Sequence, residues 1–430
     1  MMKRLFALLL AALMLLSLTA CAQAETTRIV FWHSMSEDAG ALIDGYVQDF
    51  NATVGAELGI QVEAVFQGTY ADAVTKMNGM LSSGQEDALP DVMQMDATGK
   101  VSFASAGIAY TADEALADHP EAQLTLLAPA LANWQLAGAQ LGLPFATSTT
   151  ITYYNKTALD AAGFAAPQTL GDIGAMAALA RDGVTVYAAV PNTPTLANWL
   201  GQLGSDLVNQ HNGTEGTATA LDCIDNGALA DFLQVWKELY ASGALVNANG
   251  SSDEFVAGRQ LIMTSSSSSV TSILTRIGGA FELGVAAYPR VNDSASAGAT
   301  VSGSCLVMFD HGDAQKEAAW QLVQYLTSAA VQADFARGTG YLPSNSQAEA
   351  SEAWAQLIAE YPQYQVGLKQ LMETPDAMRS VTVGPSADFY YAIMNDIADM
   401  LDNDLSVEET VEIMEDDLGG MLEQYARANP

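Results

Sequence analysis

Short apolar runs alternate with amphipathic stretches along the first part of the chain. The run 28–32 predicts a strand, and further strands are predicted over 60–65 and 90–95. Helices are predicted after Ser36 and over 70–81, because apolar side chains recur there at helical spacing. Strands that alternate with helices are typical of an α/β fold whose mostly parallel sheet is flanked by helices on both faces.

The pattern starts again in the second part of the chain. Thr169 and Asp172 have the spacing of a capping box, which predicts a helix that continues to Ala180. Ser406 and Glu409 form a similar pair ahead of an amphipathic C-terminal helix. Further strands are predicted over 184–190, 260–264 and 282–287.

Two such α/β units fit a chain of 430 residues, which is too long for one ordinary core. The segment 292–304 is rich in Ser, Ala and Gly, as expected for a connection between lobes. We therefore predict a two-lobed clamshell with a ligand cleft between the lobes. Lobe 1 is expected over residues 25–145 and 302–350, and lobe 2 over residues 146–301 and 351–430.

The composition indicates a globular and strongly acidic protein. Half of the residues are hydrophobic and 15% are charged, which argues against disorder. Asp and Glu total 50 against 16 Lys and Arg, so the net charge is −34 at pH 7. Because such a surface repels phosphate backbones, no nucleic-acid partner is expected.

The N-terminus has the features of an export signal. Lys3 and Arg4 precede an apolar run over 5–18 that is short for a membrane span. The Leu-Thr-Ala-Cys sequence ending at Cys21 resembles a lipobox, so residues 1–20 are predicted to be a lipoprotein signal peptide and Cys21 a lipid anchor. Ordinary cleavage after Ala24 is the alternative. The protein is expected to be exported, either anchored to the cell membrane and facing outside or periplasmic.

The common catalytic and metal-binding motifs are missing from the sequence. The four histidines have no partner at metal-ligand spacing, and no HExxH, CxxC, P-loop or GxSxG pattern occurs. No catalytic residue, metal or cofactor is therefore predicted, and a secreted hydrolase is disfavoured. Cys223 and Cys305 are expected to be buried free thiols, although an exported protein could also join them in a disulfide.

Hydroxyl groups and tyrosines are concentrated in a few turns. Thr147–Thr150 run into an apolar strand pattern, and Ser265–Ser269 lie between a predicted strand and a predicted helix. Hydroxyls and free N–H groups at a helix N-terminus can bind an anion or a polyol. Tyr70 and Tyr341 lie in glycine-containing turns, where each offers a ligand an apolar face and a hydroxyl. These features favour a site for a small molecule over solvated turns and ordinary packing.

Five motifs follow one another along the chain: Phe31-Trp32-His33-Ser34-Met35, Gly68-Thr69-Tyr70, residues 144–156, residues 263–268, and Gly338-Thr339-Gly340-Tyr341-Leu342-Pro343. Together they resemble the family 1 extracellular solute-binding proteins of ABC importers, and within that family the branch that binds glycerol 3-phosphate. The resemblance covers essentially the whole mature chain. It implies a receptor without catalysis, expected to be a monomer, that closes on a small-molecule solute and delivers it to an ABC permease in the membrane.

The resemblance also implies which residues contact the solute. Carried over to matching positions of this sequence, it assigns that role to Tyr70, Ser148, Ser267, Gly303 and Tyr341.

Two departures from the family pattern leave the solute class open. Asp96 lies one position before Ala97, which occupies the place of an acidic contact, and Asp96 is expected to substitute for it. Thr382 stands where the branch has a phosphate-binding arginine, and Arg379 lies three positions earlier as its expected replacement. A phosphate that lacks this guanidinium loses a bidentate, charge-assisted pair. The predicted solute is glycerol 3-phosphate or a glycerophosphodiester, with a neutral sugar, oligosaccharide or polyol as the alternative.

The substitution Cys21→Ser is expected to abolish lipid attachment, because the lipid is joined to the protein through the cysteine sulfur. Mass spectrometry of the mature protein would show an acylated N-terminus in the wild type and in a Cys305→Ser control, but not in Cys21→Ser. A wild-type protein that begins at Glu25 and carries no lipid would contradict the lipobox interpretation.

Overall fold

The structure is a computed structural model that describes residues 26–375 and 377–429. The predicted signal peptide over residues 1–20 and the predicted lipidation site Cys21 lie outside the described residues. In the described part of the chain, no helix combines the length and the hydropathy needed to cross a membrane.

A mixed β-sheet forms the centre of the molecule. Its ten strands follow the order β2-β1-β3-β12-β7-β10-β8-β9, with β4 beside β12 and β11 beside β7, while β5 and β6 form a separate hairpin. The strands within the described residues are β1 (Thr27–His33), β2 (Ile60–Phe66), β3 (Val92–Met95), β4 (Ala109–Tyr110), β5 (Gln135–Leu136), β6 (Ala139–Gln140), β7 (Leu143–Asn155), β8 (Thr185–Ala188), β9 (Leu245–Val246), β10 (Gln260–Ser266), β11 (Leu283–Ala286) and β12 (Val301–Phe309).

Helices flank this sheet throughout the described part of the chain. Up to β12 they are α1 (Glu37–Ala52), α2 (Val54–Leu58), α3 (Tyr70–Ser83), α4 (Lys100–Ala104), α5 (Ala112–Asp118), α6 (Ala128–Ala132), α7 (Lys156–Ala162), α8 (Leu170–Ala175), α9 (Thr193–Gln202), α10 (Ala228–Ala241), α11 (Ser252–Val256) and α12 (Val270–Ile277). After β12 they are α13 (Asp313–Leu326), α14 (Ala329–Thr339), α15 (Glu352–Glu360), α16 (Tyr364–Glu373), α17 (Ser386–Asp402) and α18 (Val407–Ala428).

Strand β7 belongs to both halves of the sheet. Its first part, 143–149, pairs with β12, and its second part, 150–155, pairs with β10 and β11. Lobe 1 therefore contains β1–β4 and β12, and lobe 2 contains β8–β11. This arrangement confirms the predicted two-lobed α/β architecture, while the residue boundaries proposed for the lobes stay a prediction.

The expectation of mostly parallel sheets is correct only away from the centre. β1 pairs in parallel with β2 and β3, and β8 pairs in parallel with β9 and β10, as strand–helix–strand units require. The pairs that β7 and β12 make with β3, β10, β11 and each other are antiparallel. These two strands carry the chain into lobe 2 and back into lobe 1, so they run in opposite directions.

Local sequence signals agree closely with the observed helix ends. Thr169 and Asp172 form the predicted capping box, as do Ser406 and Glu409 ahead of α18. Helix α8 nevertheless ends at Ala175 and does not continue to Ala180; a 3₁₀ turn follows it. The two glycines within Leu170–Ala175 explain the early end, because glycine lowers the stability of a helix interior.

Each lobe has its own hydrophobic interior. In lobe 2, Trp199 stacks on Phe232 and Tyr288 with ring centroids 5.1 and 5.2 Å apart. Cys223 lies in this lobe 2 core and Cys305 in a lobe 1 core, and both are buried free thiols. The expectation of free thiols is confirmed.

Gln370 of α16 ties the middle of β7 to lobe 2. Its Nε2 donates to Thr149 Oγ1 at 2.9 Å and to Thr150 O at 2.7 Å, and its Oε1 accepts from Tyr288 N at 2.7 Å. The side chain is buried, so each of these bonds replaces contact with water.

Buried Lys100 is an exception to the apolar character of the lobe 1 core. It is 1% exposed, and its ammonium donates to Asn133 O at 3.2 Å. Among the described residues, no carboxylate forms an ion pair with it. Burial lowers the pKa of Lys100 to about 8, against a small opposing effect of Cys305. Its charge is therefore held in the core at a cost in stability.

Replacing Gln370 with Leu is expected to destabilise the fold by about 2–4 kcal/mol, since the Tyr288 N–H and the Thr150 carbonyl would be buried without partners. Urea unfolding measures the loss. The matched control is Gln356→Leu, because Gln356 is exposed and its amide donates to the exposed Glu352 of the same helix. Equal stability losses in the two variants would contradict a special role of Gln370.

Replacing Lys100 with Met is expected to stabilise the protein at pH 7 by up to about 3 kcal/mol, the free-energy equivalent of the lowered pKa. Between pH 8 and the ordinary lysine pKa, the unfolded chain holds a proton that the folded chain releases. Wild-type stability therefore gains with rising pH across that window, and the advantage of Lys100→Met shrinks.

Urea unfolding at pH 7, 8.5 and 10 measures how the stability difference between Lys100→Met and wild type shrinks as the pH rises. Lys369→Met is the control, because Lys369 is largely exposed. A stability difference between Lys100→Met and wild type that does not change with pH would contradict the assigned cause.

Candidate functional site: a cleft between the lobes

A cavity of about 300 Å³ lies between the two lobes. Lobe 1 contributes the turn after β3 and the end of α6, and β12 contributes its first residues. Lobe 2 contributes the start of α9 and the segment that leads into α17. The lining residues are Asp96, Ala97, Thr98, Val101, Asn133, Thr193, Pro194, Ala197, Thr300, Val301, Ser302, Gly303, Ser380, Val381, Thr382, Val383, Ser386 and Tyr390.

Asp96 is the charged side chain of this lining. Its Oδ1 accepts hydrogen bonds from Thr98 N at 3.2 Å and Thr98 Oγ1 at 2.6 Å, which fix the carboxylate at the turn after β3. Burial raises the pKa of Asp96, and the Thr98 bonds oppose that shift. No lysine, arginine or histidine occurs among the described residues that line the cavity. The cavity is therefore acidic, although most of its lining surface is apolar.

Two buried hydroxyls of the lining lack hydrogen-bond partners. Thr193 Oγ1 at the start of α9 and Thr382 Oγ1 ahead of α17 make no bond within the described protein, and each residue is 8% exposed. An unpaired buried hydroxyl is costly, and a polar ligand that reached either oxygen would remove that cost.

Hydrogen bonds connect the two lobes beside the cavities. Ser380 Oγ of lobe 2 donates to Asn133 Oδ1 of lobe 1 at 2.7 Å, and the Asn133 carbonyl is the acceptor of the Lys100 bond. Ala137 N, in the β5–β6 hairpin, donates to Thr214 O of lobe 2 at 2.6 Å. These contacts join the two lobes across the cleft.

A second cavity, of about 320 Å³, adjoins the first between the lobes. The two share Val101, Thr382 and Val383, so Thr382 lies at their junction. Leu136, Leu422 and Tyr425 supply apolar surface to the second cavity, and no charged side chain lines it within the described chain. The cleft thus has room for a ligand longer than one cavity alone.

Two of the predicted ligand contacts, Asp96 and Gly303, line the first cavity. Gly303 has φ 111°, and a Cβ there would lie 1.8 Å from Ala146 O. Only glycine fits between β12 and β7 at this point.

Tyr70 and Tyr341 lie together in lobe 1 but outside the cavity lining. Gln94 Nε2 donates to Tyr70 Oη at 3.2 Å and to Ser304 Oγ at 2.8 Å, which places the pair beside the start of β12. Burial raises the pKa of Tyr70 well above its usual value, and the Tyr341 phenol adds to the shift. Both phenols therefore stay protonated.

Ser148, Ser267 and Arg379 also lie outside the cavity lining. Ser148 is buried opposite Ser302, and Ser267 Oγ accepts a hydrogen bond from Thr149 N at 3.2 Å. Ser267 thus stabilises the lobe crossing. Arg379 is partly buried directly before Ser380, and its Nη1 reaches Met378 O at 3.5 Å. The ligand contacts assigned to these three residues stay predictions.

Sequence reasoning missed several residues of the lining. Thr193 follows Asn192, which forms a capping box with Thr195, so a helix start was detectable there. Asn133 and Ser380 carry no local signal, because their contact joins positions far apart in the chain. Among the described residues, no group of three or more His, Cys, Asp or Glu is placed to hold a metal ion.

The family of bacterial extracellular solute-binding proteins matches residues 45–363. A curated relative is the sn-glycerol-3-phosphate-binding periplasmic protein UgpB of Yersinia pestis, which is 25% identical over 381 residues and covers 84% of each chain.

Solved structures share the fold. UgpB from Mycobacterium tuberculosis in complex with glycerophosphocholine has a TM-score of 0.76 at 20% identity, and the match covers 93% of this chain and 99% of that one. The cyclic α-maltosyl-1,6-maltose binding protein from Arthrobacter globiformis has a TM-score of 0.75 at 19% identity, with the same coverage. With residues 45–363 matched and the two-lobed fold shared, this chain belongs to the bacterial extracellular solute-binding proteins, the receptors of ABC importers.

Proposed function

We propose that this receptor captures a neutral polyhydroxylated solute, namely a sugar, oligosaccharide or polyol, in the cleft between its lobes and delivers it to an ABC permease. The observation that carries the proposal is the lining of the first cavity, which has a carboxylate, unpaired hydroxyls and no basic side chain within the described residues.

Hydrogen-bond chemistry supports a solute with many hydroxyls. The Asp96 carboxylate accepts hydrogen bonds from hydroxyl groups, and Thr193 and Thr382 both donate and accept. The Tyr390 ring and nearby alkyl groups supply the apolar surface that covers the C–H faces of a sugar. A phosphate placed here would face the Asp96 charge without a guanidinium in the lining.

The size of the cleft favours a solute of more than one ring. The two adjoining cavities measure about 300 and 320 Å³, and Thr382 lies between them. A disaccharide or longer saccharide would use both.

A glycerophosphodiester or glycerol 3-phosphate is the second candidate. Two observations support it: the relative from Yersinia pestis binds sn-glycerol 3-phosphate, and helices α9 and α17 begin at Thr193 and Ser386 in the cavity wall. Helix N-termini favour anions, and Lys100 adds positive charge behind Asn133.

Export, attachment through a lipid on Cys21 and a monomeric state complete the proposal. They follow from the N-terminal sequence and the resemblance stated above, and they suit a receptor that presents its solute to a permease.

Thermal unfolding of the mature protein with maltose, glucose, glycerol, glycerol 3-phosphate and glycerophosphocholine tests the solute class. The saccharides are expected to raise Tm, because a solute at a hundred times its Kd adds about 2.7 kcal/mol to the free energy of unfolding. A shift with the phosphate compounds alone would support the second candidate. No shift with any of them would contradict a receptor for these classes.

Site variants distinguish cleft binding from binding elsewhere. Thr193→Val removes an unpaired hydroxyl and keeps the shape, so the saccharide affinity is expected to fall about threefold to tenfold by calorimetry. Thr275→Val on exposed α12 surface is the matched control and should leave affinity unchanged. Equal affinities in the two variants would place the solute outside this cavity.

A further inference from the structure

A left-handed turn packs behind the segment that brings Thr382 to the cleft. Gln210, His211 and Asn212 have φ values of 58°, 52° and 56°, and Gly213 follows with φ 74°. Three consecutive non-glycine residues in this region are rare, because Cβ crowds the carbonyl oxygen. Such strain persists only where surrounding contacts impose it, and it is concentrated at ligand clamps and similar sites.

Asn212 supplies the contacts that impose this conformation. The residue is 2% exposed, and its Oδ1 accepts from Leu207 N at 2.8 Å and from Val208 N at 3.2 Å. The backbone N–H of Asn212 donates to Val208 O at 3.1 Å, while two other polar groups face the cleft segment. Nδ2 donates to Arg379 O at 3.0 Å, and the backbone carbonyl accepts from Thr382 N at 2.8 Å.

Gly213 brings the same two segments into direct contact. A Cβ on Gly213 would lie 2.0 Å from Thr382 O, so any other residue would push the cleft segment away. The next residue, Thr214, accepts the hydrogen bond from Ala137 N of lobe 1. The turn therefore touches both the ligand-facing segment and the opposite lobe.

We infer that Asn212 and Gly213 are positioning residues that set the depth at which Thr382 stands in the cleft, although Gly213 also lines the second cavity. Asn212 lines neither cavity, so it acts through Thr382. The expected effect of the turn on solute affinity rests on the proposed function. The expected effect of the turn on the position of Thr382 rests on the turn geometry alone. Part of the solute specificity is thereby assigned to the strained left-handed turn, which lies outside the first cavity.

Hydrogen exchange of the solute-free protein tests the positioning directly. Gly213→Ala is expected to speed exchange of the Thr382 amide at least about tenfold, because its bond to Asn212 O opens. The matched control is Gly227→Ala: Gly227 has φ 77°, and nothing lies within 4 Å of its Cβ position. It carries the same left-handed strain without the close approach.

Asn212→Asp is a second variant, in case Gly213→Ala does not fold. Aspartate keeps the acceptor for the Leu207 and Val208 N–H groups, but it turns the donor that faces Arg379 O into an acceptor. Faster exchange at Thr382 in this variant supports the inference. Exchange rates at Thr382 that match those of wild type in both variants would overturn it.

A double-mutant cycle with Thr382→Val separates positioning from general damage. Affinity is measured for maltose and for glycerophosphocholine. Gly213→Ala and Thr382→Val are each expected to weaken binding by about tenfold, and the double variant to be little weaker than either alone. Fully additive losses would show that the turn does not act through Thr382 and would overturn the inference. Should the wild type bind neither probe, the proposed function fails for these solutes while hydrogen exchange still decides the role of the turn.

Discussion

The two-lobed arrangement depends on the backbone pairing of β7, whose first part is bonded to β12 and whose second part is bonded to β10 and β11. Because β7 is paired in both lobes, it fixes the positions of the strands on either side of the crossing. Gln370 adds side-chain bonds from α16 at the same place, which makes the crossing a rigid part of lobe 2.

The charges that line the cleft, together with this geometry, limit the kinds of solute that the cleft can bind. The whole chain carries −34, yet the cavity wall holds a single carboxylate, and the buried Lys100 lies behind Asn133 without a carboxylate partner in the described part. Polar groups that lack partners are found where the lobes meet, at Thr193 and Thr382. Both residues belong to lobe 2, so a solute that binds them and also Asp96 of lobe 1 would contribute its binding energy to lobe closure.

The sequence predicted the elements better than it predicted the site. Strand and helix periodicity, the capping box at Thr169 and the serine turn before α12 are local signals, and the structure contains each of them. The antiparallel centre of the sheet was missed because pairing of β7 with β12 joins distant segments. The same reason applies to Asn133 and Ser380, whereas Asp96 and Gly303 were identified through short motifs. The hydroxyl of Ser267 accepts a hydrogen bond from the backbone of β7, and the ligand contact assigned to this residue stays a prediction.

The separate locations of Cys223 and Cys305 give each lobe its own chemical reporter. Both thiols are fully buried, and burial raises the pKa of each, so a thiol reagent reacts only when the surrounding core opens. Alkylation at Cys223 would report on the interior of lobe 2, and alkylation at Cys305 on that of lobe 1. The opening rates of the two lobes can therefore be compared in a single experiment on the wild-type protein.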